Sequence, residues 1–239
     1  MSSFAFWHAP HLWHHPHLIQ QRSRVMAEPH RTYPVGEYVH KKLAPLQAQY
    51  ARGGSKPTSY AQATIAMLRR NRLDDLGANP STWEFLFDEM PAELGGRGDQ
   101  PSHAESAIHQ AMTLYASHQQ GRAEPMHQVG RSFGRAVREV AAKRGQVGRP
   151  LDPGALGRFQ RVCTATSPRM RLQHLQALIG MMRGVLAPLD YAQLGQDLYT
   201  LSFPGRQSGV LLRWGRDFHF QPPQPTTTDD DTTDPQETA

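Results

Sequence analysis

The stretch 128–144, QVGRSFGRAVREVAAKR, sets the architecture, because two chemistries alternate along it with one period. On a 3.6-residue repeat Val129, Phe133, Ala136, Val137 and Val140 fall on one side and Arg131, Arg135 and Arg138 on the other. The apolar side predicts a helix lying against a core. The guanidiniums recur at i, i+4 and i+7 with no acid between them on their face, so the usual Glu-to-Lys pairing along a helix does not neutralise them. Such a row suits a phosphate backbone, and a solvated polar exterior is the plain alternative. Gly130 and Gly134 share a flank that another backbone, protein or nucleic acid, can approach closely.

The same pattern continues toward the C-terminus. Asp152 and Pro153 predict a helix start with Leu156, Phe159 and Cys163 inward and Arg158 and Arg161 outward. Ser167 and Pro168 predict another, with Leu172, Leu175, Ile179 and Met182 inward and Arg169 and Arg171 in its first turns. Pro188 opens a helix carrying Tyr191, Leu194, Leu198 and Leu201; after a turn at Pro204 and Gly205 a last helix gathers Leu211, Trp214 and Phe218.

Toward the N-terminus, Val39, Leu43, Leu46 and Tyr50 form a helical row that ends at Gly53 and Gly54, with a kink expected at Pro45. A second helix is predicted over 59–71, with Ala61, Ile65 and Leu68 inward. Arg69, Arg70 and Arg72 stand at its exit, where cations suit both the helix dipole and a phosphate. Asn79 and Pro80 predict a cap before the short apolar run Trp83, Phe85, Leu86, Phe87, which reads as core. GGRGDQ (95–100) is a loop. Ser102 with Glu105 predicts a capping box, followed by an inward row of Ala104, Ile108, Ala111, Tyr115 and His118, the histidine read as a hydrogen-bonded core residue.

No segment alternates with period two, so the expected architecture is all-α: a multi-helix bundle of about nine helices. Its expected divisions are a disordered His/Pro-rich leader over 1–35, an N-terminal bundle over 36–122, a C-terminal bundle over 123–220 and a disordered acidic tail over 221–239. The leader gathers His8, His11, His14, His15, His17 and His30, yet no paired Cys or carboxylate stands at a ligand spacing, so no metal site is expected there. Met26 is an alternative start for the biological chain.

Composition narrows the function. The 239 residues have a mean hydropathy of −0.61 and no membrane span. The tail holds five acids and no base, which leaves residues 1–220 with all 26 Lys and Arg against 16 acids, a formal +10. Lysine occurs only at 41, 42, 56 and 143, so the charge is carried by guanidinium, which forks onto phosphate oxygens. The lone Cys163 excludes an internal disulfide framework, and with no cleavable signal sequence a cytoplasmic location is expected.

Walker, nucleophile-elbow, dinucleotide and His-Glu-x-x-His patterns are all missing, and the carboxylates at 74–75, 88–89 and 229–231 read as solvated turns and ends. No catalytic residue, cofactor or metal is therefore expected. What remains is multiplicity: Arg69, Arg70 and Arg72, then Arg131, Arg135 and Arg138, then Arg158 and Arg161, then Arg169 and Arg171, each group outside an apolar face. Aligned, these faces make one cationic track. The aromatics sit on apolar rows, so a base-stacking platform is not expected and binding should ignore sequence.

Taken in order, YVHKKLAPLQAQYARGG, IAMLRRNR, HAESAIHQAMTLYASHQQGR, MHQVGRSFGRAVREV, RFQRVCTATSP, LDYAQLGQDLYTL and VLLRWGRDFHF resemble the CasB family, the small subunit of the type I-E CRISPR Cascade complex, over residues 37–220. The resemblance implies an all-helical protein without enzymatic activity, two copies packed head to tail beside other Cascade subunits, and contacts that stabilise the R-loop by holding displaced non-target DNA and supporting the target strand. The family's Gly-Arg-Ala segment falls on Gly134, Arg135 and Ala136, which makes Arg135 the first candidate and Arg131, Arg138, Arg158 and Arg161 the next. The rival readings are a helical protein-interaction scaffold, or a free-standing non-specific nucleic-acid binder.

Overall fold

Six helices begin beside a side chain that accepts a hydrogen bond from the first turn, where the leading N–H groups have no partner within the helix. The computed structural model describes residues 34–51, 53 and 55–220. Among the described residues the fold is all-α, with nine α-helices and no sheet. The helices are α1 (Pro34–Tyr50), α2 (Ser59–Arg69), α3 (Trp83–Phe87), α4 (His103–Gln119), α5 (Phe133–Lys143), α6 (Pro153–Thr164), α7 (Pro168–Val185), α8 (Tyr191–Leu201) and α9 (Gln207–His219). The capping box before α4 closes in both directions: Glu105 N donates to Ser102 Oγ at 2.9 Å and Ser102 N to Glu105 Oε2 at 2.7 Å. Asp152 accepts from Ala155 N at 3.0 Å and Ser167 from Met170 N at 3.2 Å, each ahead of a proline that needs no partner.

The apolar rows meet in one cluster. Helix α4 is buried on most of its circumference, with α1, α2, α7 and α8 against it; α6 packs on α7, and α5 lies against α6, α7 and α9. Because α8 packs on both α1 and α4, the core runs across the boundary expected near residue 122. Each fully buried Leu, Ile or Phe here contributes about 1.5–3 kcal/mol. His118 lies wholly inside, its Nδ1 sharing a hydrogen bond with Tyr191 Oη at 2.9 Å, as the core reading anticipated.

Several local expectations are corrected. The helix expected over 128–144 begins only at Phe133: Gly130 turns the chain at φ +81° and Ser132 caps the first turn, so Arg131 precedes the helix and Val129 is 66% exposed. Asn79 does not cap; its amide donates to Asn71 Oδ1 at 2.7 Å, satisfying a buried side chain instead. Of the run expected as core, only Leu86 is buried; Phe85 and Phe87 are half-buried, and Trp83 lies at the surface with its indole N–H on the Leu76 carbonyl at 3.2 Å. Helix α8 starts at Tyr191 behind the Asp190 cap rather than at Pro188. Pro34 and Val35, expected in the leader, open α1 with Val35 buried; the rest of the histidine-rich leader and the acidic tail lie outside the described residues.

Candidate nucleic-acid interface

Helices α5, α6 and α9 meet through aromatic rings. Phe133 packs on Trp214 with centroids 4.6 Å apart and on Phe159 at 5.9 Å, and Phe159 stacks on Phe218 at 4.9 Å. The contact is close because Gly134 has no side chain: a Cβ there would collide with the Trp214 carbonyl and lie 2.8 Å from Asp217 Cβ and 2.9 Å from Phe218 N. The flank expected at Gly134 is therefore occupied by α9, whereas Gly130 faces open space and serves the turn. With these rings inward, Arg135 and Arg138 of α5 and Arg158 and Arg161 of α6 are carried on neighbouring helices around one aromatic cluster.

The loop ahead of α5 is held from two sides. Gln47 of α1 grips the backbone of His127, donating to its carbonyl at 2.9 Å and accepting from its N–H at 2.7 Å. On the other side Gln128 N donates to Leu189 O, Leu189 N to Met126 O and Asp190 N to Arg131 O, at 3.1, 3.0 and 2.7 Å. Asp190 also accepts from Gly130 N at 2.8 Å. These contacts fix where α5 starts and hence which way its arginines face.

The arginines do not share one fate. Arg135 and Arg161 are exposed and make no ion pair among the described residues. Arg138 is half-buried with its guanidinium 5.8 Å from the Phe218 ring centre, and Arg158 donates to Gly154 O at 3.3 Å along its own helix. Arg131 is paired with Glu139, which also takes Lys143 at 2.7 Å, so the row on α5 is partly neutralised after all. The pairing escapes an i+4 rule because Arg131 stands in the preceding turn and reaches eight residues forward. At the exit of α2, Arg69 and Arg70 are exposed; Arg72 and Arg169 share the Asp74 carboxylate, each at 3.6 Å.

Arg171 is a correction. It is 7% exposed and points inward, its Nε donating to Val162 O at 3.2 Å and an Nη to Ala165 O at 2.8 Å. It ties the carbonyl end of α6 to α7, a favoured role for a cation at a helix C-terminus, and burial lowers its pKa. Arg183 does the same for α4 through Gln120 O at 2.9 Å, and Lys143 for α7 through Val185 O at 3.1 Å. Two groups thus emerge: Arg135 and Arg138 on α5 with Arg158 and Arg161 on the adjoining α6, and Arg72 with Arg169 at Asp74, while Arg69 and Arg70 stand exposed at the end of α2. Sequence reasoning passed over Arg216, which is exposed on α9 within the segment RWGRDF.

Elsewhere the polar chemistry is already engaged. A cleft of about 430 Å³ between α1, α8 and α9 is lined by Gly36, His40, Val129, Asp190, Gln196 and Arg213 among others. Asp190 there accepts from backbone N–H groups, and Asp197 is held by Arg213 and Trp214. Among the described residues no three His, Cys, Asp or Glu side chains gather as a metal site would require. No helix among them is long and apolar enough to cross a membrane.

Comparison with known proteins agrees with this architecture. Among curated proteins, none matches the chain. A solved structure, CasB from Thermobifida fusca, superposes with a TM-score of 0.63 at 29% identity, covering 78% of this chain and 98% of that one. The family model of CRISPR-associated protein Cse2 matches residues 64–219, from within α2 to the last residue of α9. An all-helical chain that carries this match over most of its length belongs to the CRISPR-associated protein Cse2 family.

Proposed function

We propose that this chain is the non-catalytic small subunit of a type I-E CRISPR Cascade surveillance complex. It stabilises the R-loop by sequence-independent binding of displaced non-target DNA and by support of the target strand. The observation that carries the reading is the placement of Arg135, Arg138, Arg158 and Arg161 on adjacent helices around the Phe133, Phe159 and Phe218 cluster. Guanidiniums on a rigid helical surface hold phosphates without reading bases, because base edges are what specify sequence. In an RNA-guided complex base pairing does that reading, and the exchange of one duplex for another is nearly balanced, so modest backbone contacts tip it. The partners are other subunits of the complex, a second copy of this chain included, and single-stranded DNA; the setting is cytoplasmic and no cofactor takes part.

Titrating the full chain into a fluorescent single-stranded oligonucleotide at several salt concentrations tests the reading. Affinity falls with salt by about 0.7 in log–log slope for each phosphate engaged, is alike for unrelated sequences, and drops with Arg135→Ala. Salt-independent binding, or a marked preference for one sequence, overturns it in favour of a protein-interaction scaffold or a base reader.

A further inference from the structure

The loop that joins α5 to α6 is built around a tight turn with an apolar tip. Phe133, at the start of α5, packs on Phe159 toward the end of α6, while Asp152 N, ahead of α6, donates to Ala141 O near the end of α5 at 2.8 Å. The two helices therefore run antiparallel, and residues 144–152 join them at one end. There Gln146 and Arg149 exchange both backbone hydrogen bonds at 2.8 Å, with Val147 and Gly148 between them and Gly148 at φ +79°. The base of the turn is fixed as well: Arg144 Nε pairs with Asp152 at 3.3 Å, and a Cβ on Gly145 would collide with the Pro150 carbonyl. Val147 at the tip is wholly exposed. A β-branched apolar side chain there buries nothing in the fold, at a position where Gly, Pro, Asn, Asp and Ser ordinarily stand.

We infer that the 146–149 turn is a base-contacting tip of the arginine surface: Val147 lies against the face of an unstacked base of single-stranded DNA, and Arg149 takes a neighbouring phosphate. The inference rests on the proposed reading of that surface and adds to its phosphate contacts one made to a base. Continuity supports it, because Arg135 and Ala142, both exposed, stand seven residues apart on one face of α5, and that face leads into the turn. Charge names the occupant. Arg149 is exposed and makes no ion pair among the described residues, and Asp152, the one acid near the turn, is taken up by Arg144 and by the first turn of α6. A single strand offers an apolar face and an anion within one nucleotide, which is what the tip presents surfaces for. Every base has such a face, so the contact leaves binding indifferent to sequence. A short turn already held by its own hydrogen bonds enters the gap between two bases with little conformational freedom left to lose.

Two fluorescent oligonucleotides of equal length, one bearing bases and one made wholly of abasic units, test this on the full chain. Val147→Ser should weaken binding of the base-bearing strand about threefold and leave the abasic strand unchanged. Val147→Trp should tighten the base-bearing strand alone, by about fivefold or more, because an indole stacks on a base face. Arg149→Ala should weaken both strands and make the salt slope shallower by about 0.7. Since Val147 buries nothing, thermal unfolding of both Val147 variants should match the parent. Equal effects of Val147→Ser on the two strands, or no effect on either, overturn the proposal. If Arg135→Ala still weakens binding in that case, the reading of the surface stands and the tip alone is removed; a parent chain that binds neither strand removes both. Unchanged oligonucleotide binding by Val147→Ser, together with poorer retention of that variant in the assembled complex, assigns the tip to a protein partner and likewise overturns the proposal.

Discussion

The indole N–H of Trp214 donates to the Asp197 carboxylate at 2.6 Å, joining α9 to α8 in a site where the tryptophan is fully buried and the aspartate 3% exposed. Burial pushes the Asp197 pKa from 3.8 up to about 6, against the opposing pull of Arg213 and the indole. Between those two values the unfolded chain has released its proton while the folded chain keeps it. Stability from this group is therefore present below about pH 4 and lost as pH rises through about 6, by up to about 3 kcal/mol. Asp197→Asn keeps an acceptor for Trp214 and should abolish that slope; urea denaturation of both chains from pH 4 to 7 measures it, and parallel slopes contradict it.

The buried histidines work in the opposite direction. Burial, with Arg183 and Arg122 nearby, takes the His118 pKa down to about 3. His127 is lowered as well, chiefly by burial, and its Nδ1 accepts from Tyr191 N at 3.1 Å, which places its proton on Nε2 toward His40. Both groups are neutral in the fold and take up protons on unfolding below pH 6.5, so their stabilisation is complete above that pH and falls as the solution is acidified. Ring-proton NMR should show His118 without a titration step between pH 5 and 8; a step near 6.5 contradicts its burial.

Gly134→Ala should destabilise the chain by about 1–3 kcal/mol or more, because the new methyl meets the backbone of α9 rather than a movable side chain. Gly157→Ala on α6, with nothing within 4 Å of the added Cβ, should stabilise it by about 0.5–1 kcal/mol. Thermal unfolding of the two variants separates a glycine required by packing from one that is not.

Arg171→Ala removes two hydrogen bonds from a cation to buried carbonyls and should cost about 1.5–3 kcal/mol or more in denaturant. It should leave the salt slope of oligonucleotide binding unchanged. Arg161→Ala should do the reverse, with stability within about 0.5 kcal/mol of the parent and a shallower slope.

Helix middles were legible in the sequence because a period of 3.6 leaves an interior residue one direction to face: Leu43, Ile65, Ile108, Val137, Leu175 and Trp214 are all buried where their rows put them. Starts marked by Ser102, Asp152 and Ser167 were legible too, since a cap is a local bond. Helix ends were not. Arg171, in a first turn, escapes the row rule by turning back to carbonyls of another helix, and Arg131 reaches Glu139 across a turn. The pairing of Arg72 and Arg169 on Asp74 joins parts of the chain nearly a hundred residues apart, and no local pattern encodes it. Arg135, in the first turn of α5, and Arg161, in the last turn of α6, lie off the buried rows of their helices and stay exposed.

Whether the arginines of α5 and α6 hold the displaced strand is read most plainly from the lifetime of the R-loop in an assembled Cascade complex carrying full-length Arg135→Ala, Arg161→Ala protein. That lifetime should be shorter by roughly tenfold at low salt, equivalent to about 1.4 kcal/mol, with the deficit closing as salt is raised and subunit assembly unchanged. A lifetime equal to that of the parent complex at every salt concentration would refute the role assigned to these two side chains.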